Sequence, residues 1–365
     1  MHNQPDHLHV GVVGCGYWGS KHVRVLSSQP GVTVSVIDAD AHRRRDAEAS
    51  HTIHRSVASL DEVIDELDAL VIATPPTSHY ALAVTALEHD CHVLVEKPLT
   101  TSGAEADALV ALAAERDLRL MVGHTFEFNP AVWTLRDTIR DPAFGRVRYI
   151  DSARLNLGLY QSDVDVLWDL APHDISILNF ILDDTPTAVS AWGLELMSEQ
   201  SDVAYLSLRY DKADVSANVH VSWLDPMKVR RTTVVGENQM AVYDDVATEE
   251  RIRVYDKGVD AGLLTAGQGG GYPLTYRHGD IHSPYIDFKE PLQLEISAFV
   301  EAIRSGITTQ AGGRSGADVV RVLCAAEQSK REGAWVPVDY TTADYTDLVE
   351  PVIDLRDTST AVVTD

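Results

Sequence analysis

The chain has 365 residues, 45% of them hydrophobic and 23% charged, enough apolar material for more than one core and unlike collagen, a disulfide miniprotein or a wholly disordered chain. Thirty Lys and Arg against 55 Asp and Glu leave a formal charge of −25, a field that repels phosphate backbones and anionic lipid, so neither nucleic acid nor a membrane is an expected partner. The three cysteines, Cys15, Cys91 and Cys324, are too scattered for a disulfide framework or a Cys-rich metal site and point to a reducing, cytoplasmic setting.

Met1 to His9 is polar and lacks the apolar stretch of a signal peptide. Its histidines, His2, His7 and His9, stand on a terminus expected to fray, so no metal site is read there. From Leu8 to Gly123, short β-branched runs alternate with helical stretches, which predicts a six-stranded parallel sheet wrapped by helices. The first run, Leu8 to Val13, leads into Gly14-Cys15-Gly16-Tyr17-Trp18-Gly19 and then a helix. Strand, G-x-G-x-x-G and helix in that order make a dinucleotide turn. Gly14 permits the tight turn, Gly16 lets a pyrophosphate approach the backbone, and Gly19 lets helix and strand pack closely, while the helix's free N–H groups face the phosphates. Tyr17 and Trp18 lie within the same turn and belong to the candidate cofactor set. The second run, Val32 to Ile37, ends at Asp38, where a carboxylate accepts the ribose hydroxyls of adenosine and repels a 2′-phosphate. NAD is therefore expected over NADP, with Arg43, Arg44 and Arg45 close enough to soften the choice.

Further apolar runs at Ala69 to Ala73, Cys91 to Val95 and Leu118 to Val122 alternate with helical segments near 77–89 and 102–116. The fourth strand runs into Thr74, Pro75 and His79, and the fifth into Glu96-Lys97-Pro98. A lysine at the carboxyl end of a parallel strand emerges where open α/β sheets bind ligands, and Pro98 predicts a rigid turn, cis or trans, that aims it. Thr74, Pro75, His79, Glu96 and Lys97 complete the cofactor set.

The pattern changes near residue 124, dividing the chain into a Rossmann domain (1–124), a substrate and oligomerisation domain (125–338) and an acidic tail (339–365). The tail holds seven acids and one base, so most of the negative charge belongs to the folded body. Gly123 to Pro130 links the domains and is expected to turn polar groups, His124 first, toward a cleft. A helical stretch to Arg140 and an extended run from Arg146 to Asn156 precede a helix from about Val164 to Leu182. Arg154, Asn156 and Tyr160, ahead of that helix, are candidates for hydrogen bonds to hydroxyls or an anion. Asp169 and His173 are four residues apart and share a helix face. Pro172 cannot donate to the Trp168 carbonyl and predicts a kink or a restart.

Beyond Asp184 the period is that of strands. Val215, Ala217, Val219, Val221 and Trp223 alternate with polar residues, and Gly236-Glu237-Asn238 reads as a hairpin. The second domain is thus expected to be α+β, with a large, mainly antiparallel open sheet. Tyr205, Trp223 and Val219 are read onto its open face, too apolar to leave to water in a monomer. Ala261 to Gly271 reads either as a loop over a site or as a plain linker. Pro291 opens a helix with Leu292, Ile296, Phe299 and Ile303 inward and Gly306 just past its end, and Ser315-Gly316-Ala317-Asp318 reads as the capping box of the last helix.

The glycine motif, Ile72 to His79, Val95 to Pro98 and Trp168 to Asp174 together resemble the Gfo/Idh/MocA family of nicotinamide-dependent sugar and cyclitol oxidoreductases, over nearly all of the chain up to about residue 338. The resemblance implies that Lys97 is the catalytic lysine and that Asp169 and His173 are the D-x-x-x-H pair. It further implies that the open sheet face joins subunits, as a homodimer or homotetramer. The run from Ser152 to His173 resembles the family's nucleotide-sugar branch, which includes UDP-N-acetylglucosaminuronate 3-dehydrogenases. The expected reaction is NAD-dependent oxidation of a secondary hydroxyl, at C3 of a nucleotide-linked hexose or hexuronate. His173 is the primary proton acceptor, Lys97 polarises the oxygen or relays the proton, and Asp169 orients substrate or imidazole. Given the overall charge, Lys97, Arg154, Arg230, Arg231 and Arg277 are the candidate bases for a diphosphate. Reduction of a keto-sugar and oxidation of a free sugar or inositol are the alternative reactions. A non-catalytic NAD-binding regulator is the alternative of another class, against which the intact Lys97, Asp169 and His173 stand.

Overall fold

The computed structural model describes residues 7–158, 163–197, 199–261 and 274–340. In chain order its first elements are β1 Leu8–Val13, α1 Tyr17–Leu26, β2 Val32–Ile37, α2 Ala41–Ser50, β3 Ser56–Val57, β4 Ala69–Ile72, α3 His79–Glu88, β5 His92–Val95, α4 Gly103–Glu115 and β6 Leu120–Val122. There follow α5 Pro130–Arg140, β7 Val147–Leu157, α6 Val166–Leu182, β8 Ala188–Leu194, β9 Val203–Tyr210, β10 Val215–Ser222, β11 Leu224–Gly236, β12 Met240–Asp244, β13 Ile252–Ala261, β14 Leu274–His282, α7 Pro291–Ser305, α8 Gly313–Glu332 and β15 Val336–Pro337. The chain divides into two compact units, residues 1–129 with 289–324 and 339–365, and residues 130–288 with 325–338. A single cut near 124 would leave α7 and the first part of α8 with the second domain, whereas by packing they belong to the first unit.

The first unit is built on a six-stranded sheet in the order β3-β2-β1-β4-β5-β6, parallel throughout. Strands covered by helices on both faces need apolar side chains at every position, and all four residues of β4 are buried. The strand order reverses between β1 and β4, and the carboxyl ends of strands at such a reversal are where open α/β sheets hold ligands. Helix α7 packs on α1 and starts at Pro291, which supplies the N1 position. It ends at Gly306 in the left-handed region, φ 70°, and buries Leu292, Ile296, Phe299 and Ile303, as their spacing predicts.

The second unit is a nine-stranded sheet in the order β14-β13-β12-β11-β7-β10-β9-β8-β15, antiparallel except where β7 and β10 run parallel. Helix α6 covers one face through β7, β9 and β10. Strand β7 alternates accordingly from Tyr149 on, with Ile150, Ser152 and Arg154 buried and Tyr149 and Asp151 exposed. Val219 and Trp223, read above onto the open face, are turned inward and buried. The open face instead carries a row across the strands, Trp192 beside Tyr205, Tyr205 beside His220, His220 beside Ala153 and Ala153 beside Arg231. The first three rings are stacked, with centroids 4.3 and 4.1 Å apart.

Two local expectations are corrected. Helix α6 runs continuously through Pro172 from Val166 to Leu182, so of the kink or restart expected there the restart is not made. Helix α8 starts at Gly313, two residues before Ser315, so the capping box is not formed; Asp318 instead accepts from Arg321 at 2.7 Å. Tyr160, most of the 261–271 segment and residues 341–365 lie outside the described residues.

Candidate functional site

In the first unit, Gly14 has φ +85°, and a Cβ on it would lie 2.6 Å from the Ala73 carbonyl oxygen. A Cβ on Gly19 would sit 1.7 Å from the carbonyl oxygen of Gly14, so the protein itself demands both glycines. At Gly16 the nearest atom to a Cβ is Arg43 Nη1 at 3.9 Å; packing tolerates a side chain there, yet the position is left bare. Gly16 is also the N-cap of α1 and has no side chain to satisfy the first N–H groups. An open cradle at the N-terminus of a helix fits a dinucleotide's phosphates.

Asp38, at the end of β2, is buried, and its carboxylate accepts from the backbone N–H of Cys15 at 2.7 Å and of Asp40 at 2.8 Å. Those bonds fix the carboxylate beside the turn and leave it lone pairs for a ribose. Arg43 stands 3.6 Å from it, on the exposed side. Burial, reinforced by Asp38, pushes the Cys15 thiol up to about 11, so the cysteine within the turn stays protonated and unreactive. Tyr17 and Trp18 are exposed and meet edge to face, with Lys21 Nζ over both rings at 4.2 and 4.9 Å.

After β4, Thr74 Oγ1 lies 2.6 Å from Ser78 Oγ, and Pro75 is exposed. His79, expected at the cofactor, is entirely buried, its ring nitrogens facing the Pro98 carbonyl at 2.8 Å and the Thr74 carbonyl at 2.9 Å. Burial pushes its ring pKa down, and it braces the β4 loop against the turn after β5. In that turn the Lys97–Pro98 peptide is cis, and Lys97 is half-buried. Glu96 Oε1 lies 2.7 Å from Nε2 of His22 on α1. His124, expected to face substrate, is buried with Nδ1 3.1 Å from Glu127 Oε1, and Thr125 Oγ1 donates to Glu295 of α7 at 2.8 Å. His22 and Glu295 carry no sequence signal, because a polar residue on a core-facing helix position marks nothing without its partner; Glu127, in the linking run expected to turn polar groups toward a cleft, is buried.

In the second unit, Asp165 caps α6 by accepting from Trp168 N–H at 3.2 Å. Asp169 and His173 are both half-exposed on that helix. Asp169 Oδ2 accepts from the buried indole N–H of Trp223 at 3.0 Å, which fixes the carboxylate. Arg154, expected to meet substrate, is 2% exposed, and its Nε donates to Asp174 at 2.6 Å. Ser152 Oγ donates to the other Asp174 oxygen at 2.6 Å. Arg154 therefore holds β7 to the helix bearing His173. Asn156 is half-buried. Of the other candidate bases, Arg230 pairs with Asp245 at 3.3 Å, Arg277 pairs with Asp256, and Arg231 is exposed.

Among the described residues one cluster, His9, His54 and Glu66, has the spacing of metal ligands. His9 already uses both ring nitrogens, toward Glu66 O at 2.8 Å and Ser35 Oγ at 2.7 Å, and Arg55 donates to the Glu66 carboxylate at 2.6 Å. A cavity of about 460 Å³ lies beside the end of α4 and the start of α8, lined by Leu120 and Thr309 among others, and none of the residues predicted for the site lines it.

Residues 8–124 match the family model of the NAD-binding Rossmann fold of the oxidoreductase family GFO_IDH_MocA, and residues 132–242 match the GFO/IDH/MocA C-terminal domain. UDP-N-acetylglucosamine 3-dehydrogenase from Acidithiobacillus ferrooxidans is 30% identical over 325 residues, 88% of this chain and 96% of that protein. Its solved structure superposes with a TM-score of 0.74 at 27% identity, covering 89% of this chain and 99% of that one. Inositol 2-dehydrogenase from Rhodococcus jostii is 27% identical over 352 residues, 91% of this chain and 93% of its own length.

Proposed function

The chain belongs to the Gfo/Idh/MocA family of NAD-binding oxidoreductases, and within it we propose that this member oxidises the C3 hydroxyl of a nucleotide-linked hexose or hexuronate. At the coarser level it is an NAD-dependent dehydrogenase of sugar or polyol hydroxyls. NAD, when bound, accepts the hydride from carbon. The chain's own residues move the proton. His173 takes it from the hydroxyl, Lys97 polarises the same oxygen or relays that proton, and Asp169 orients the sugar or the imidazole. The observation that carries this reading is the unbroken α6, which keeps Asp169 and His173 one turn apart and half-exposed across Pro172, with Asp169 anchored by Trp223. The nucleotide-linked substrate is supported by the relative from A. ferrooxidans, whose name specifies a UDP-sugar and position 3. Arg154, proposed above as a substrate contact, is better assigned to positioning, since its charge is matched by Asp174 inside the second unit.

The test is an activity matrix of NAD and NADP against UDP-hexoses, UDP-hexuronates, free sugars and inositols, read as absorbance of reduced cofactor. Turnover is expected with NAD and a UDP-sugar, with deuterium entering at C3 when the product is trapped by borodeuteride. Faster turnover of inositol or a free sugar overturns the substrate reading. Tight NAD binding without turnover of any of them makes the protein a regulator. Lys97→Met and His173→Ala are each expected to lower kcat by about 10²-fold or more with NAD affinity kept.

A further inference from the structure

We propose that His22 is a positioning residue for the reaction, holding through Glu96 the helix that receives the cofactor's phosphates to the turn that carries Lys97. The proposal rests on the reading of Lys97 as the catalytic lysine. His22 lies on α1, which begins at the glycine turn, and is 0% exposed. Its Nε2 donates to Glu96 Oε1 at 2.7 Å, and Glu96 is itself buried directly before Lys97. The Glu96 main chain is held too, its N–H donating to Ile72 O at 2.9 Å. On the far side, a Cβ on Gly123 would lie 3.0 Å from Glu96 Oε2, so a side chain there would crowd the carboxylate.

The surroundings show what that contact decides. Glu96, Glu127 and Glu295 are all buried in the first unit, at the ends of β5 and β6 and on α7. The groups acting on Glu96 are His22 from α1, His79 from α3, Lys97 from its own turn and Glu295 from α7. Burial, and secondly the charge on Glu96, push the Glu295 carboxyl well above the usual carboxylate range. Burial acts on Glu96 in the same direction, yet the hydrogen bond from His22, with Lys97 beside it, holds it below that range. Environments that drive neighbouring carboxyls apart assign them different work. Here His22 selects the carboxyl beside Lys97 to be the anion, and ties that anion to the phosphate-binding helix.

The experiment uses the full-length protein and the variants His22→Ala, His22→Gln, Glu96→Gln and Lys97→Met. Glutamate labelled with ¹³C at the side-chain carboxyl is titrated by NMR without cofactor, the Glu96 signal being the one lost in Glu96→Gln. In the wild type Glu96 stays ionised below the ordinary glutamate range; in His22→Ala its midpoint rises by more than about one pH unit, and in His22→Gln, which keeps a donor, it returns part of the way. The kcat–pH profile of His22→Ala gains an acid limb that follows the new midpoint, which His22→Gln reduces and Glu96→Gln, lacking the titrating group, does not show. If His22→Ala does not fold, His22→Leu fills the volume without the donor. An unmoved Glu96 midpoint, or a kcat lowered equally at every pH together with the thermal midpoint, overturns the proposal. Activity retained by Lys97→Met overturns the reading of the lysine instead, and leaves the titration to decide the His22–Glu96 contact.

Discussion

Asp38 receives two backbone N–H groups, from Cys15 and from Asp40, so the glycine turn itself orients the carboxylate that an adenosine ribose would meet. Removing it with Asp38→Ala takes away hydrogen bonds to a charged acceptor, each worth about 1.5–3 kcal/mol, so NAD affinity is expected to fall roughly 10- to 100-fold. Arg43, relieved of its carboxylate neighbour 3.6 Å away, then favours a 2′-phosphate, and the NADP/NAD preference in a binding titration rises. An unchanged preference would remove Asp38 from cofactor selection. His92, at the start of β5, carries a different consequence. Burial, with Arg119 second, pushes its ring down to about 4, and its Nδ1 accepts from Arg119 N–H at 2.9 Å, which holds the neutral ring in one tautomer. Between pH 4 and 6.5 the unfolded chain binds a proton that the folded chain refuses, so stability is complete above about 6.5 and is lost as pH falls toward 4. The loss from this residue is on the order of 3 kcal/mol, and His92→Gln is expected to flatten that part of a urea-midpoint profile. The glycines and Asp38 were legible in the sequence because strand, turn and helix surround them in a fixed order. His22 and His92 were not, because a buried histidine announces itself only through a partner distant in the chain.

At the scale of elements, α6 shows how tertiary packing overrides a local rule. Pro172 removes one donor, yet ten buried residues on the helix and the cap at Asp165 keep it continuous. The spacing of Asp169 and His173 was therefore readable, and a restart of the helix between them is not made. Similarly, α8 gains two residues ahead of Ser315, since Gly312 N–H bonds back to Thr309 O at 3.1 Å and the helix starts before the serine can cap it. The side taken by Val219 on β10 and by Trp223 just after it was misjudged because alternation alone says which residues share a side and not which side the helix covers. Arg154 is the sharper case, legible as a charge near the site while its partner lies 20 residues on, on the facing helix. Breaking a buried ion pair leaves an unmatched charge, so Arg154→Met alone is expected to cost about 3–5 kcal/mol in urea unfolding. Arg154→Met with Asp174→Leu removes both charges and is expected to recover much of that loss. Full folding stability with substrate KM raised in Arg154→Met would return Arg154 to the substrate's contacts.

For the whole molecule, the net charge of −25 and the apolar open face of the second unit pull in opposite directions on self-association. Copies of an acidic chain repel one another, whereas Tyr149, Trp192, Leu157 and Met227 are each more than 40% exposed on one sheet, Tyr149, Trp192 and Leu157 on strands β7 and β8 and Met227 on β11. A homodimer or homotetramer that covers this face should therefore tighten as salt is added, opposite to an assembly held by ion pairs. Raising ionic strength from about 0.01 to 0.1 M shortens the screening distance from roughly 30 to 10 Å, weakening the repulsion and leaving apolar burial intact. Light scattering at micromolar concentration is expected to give a multiple of the chain mass whose dissociation constant falls with salt. Trp192→Ala with Tyr205→Ala truncates the stacked ladder without altering charge, so it is expected to shift the mass to monomer at every salt concentration while NAD binding in the first unit persists. A monomer in both proteins at all salt concentrations would mean that the aromatic row faces water. An oligomer that loosens with salt would move the interface to one of the charged surfaces.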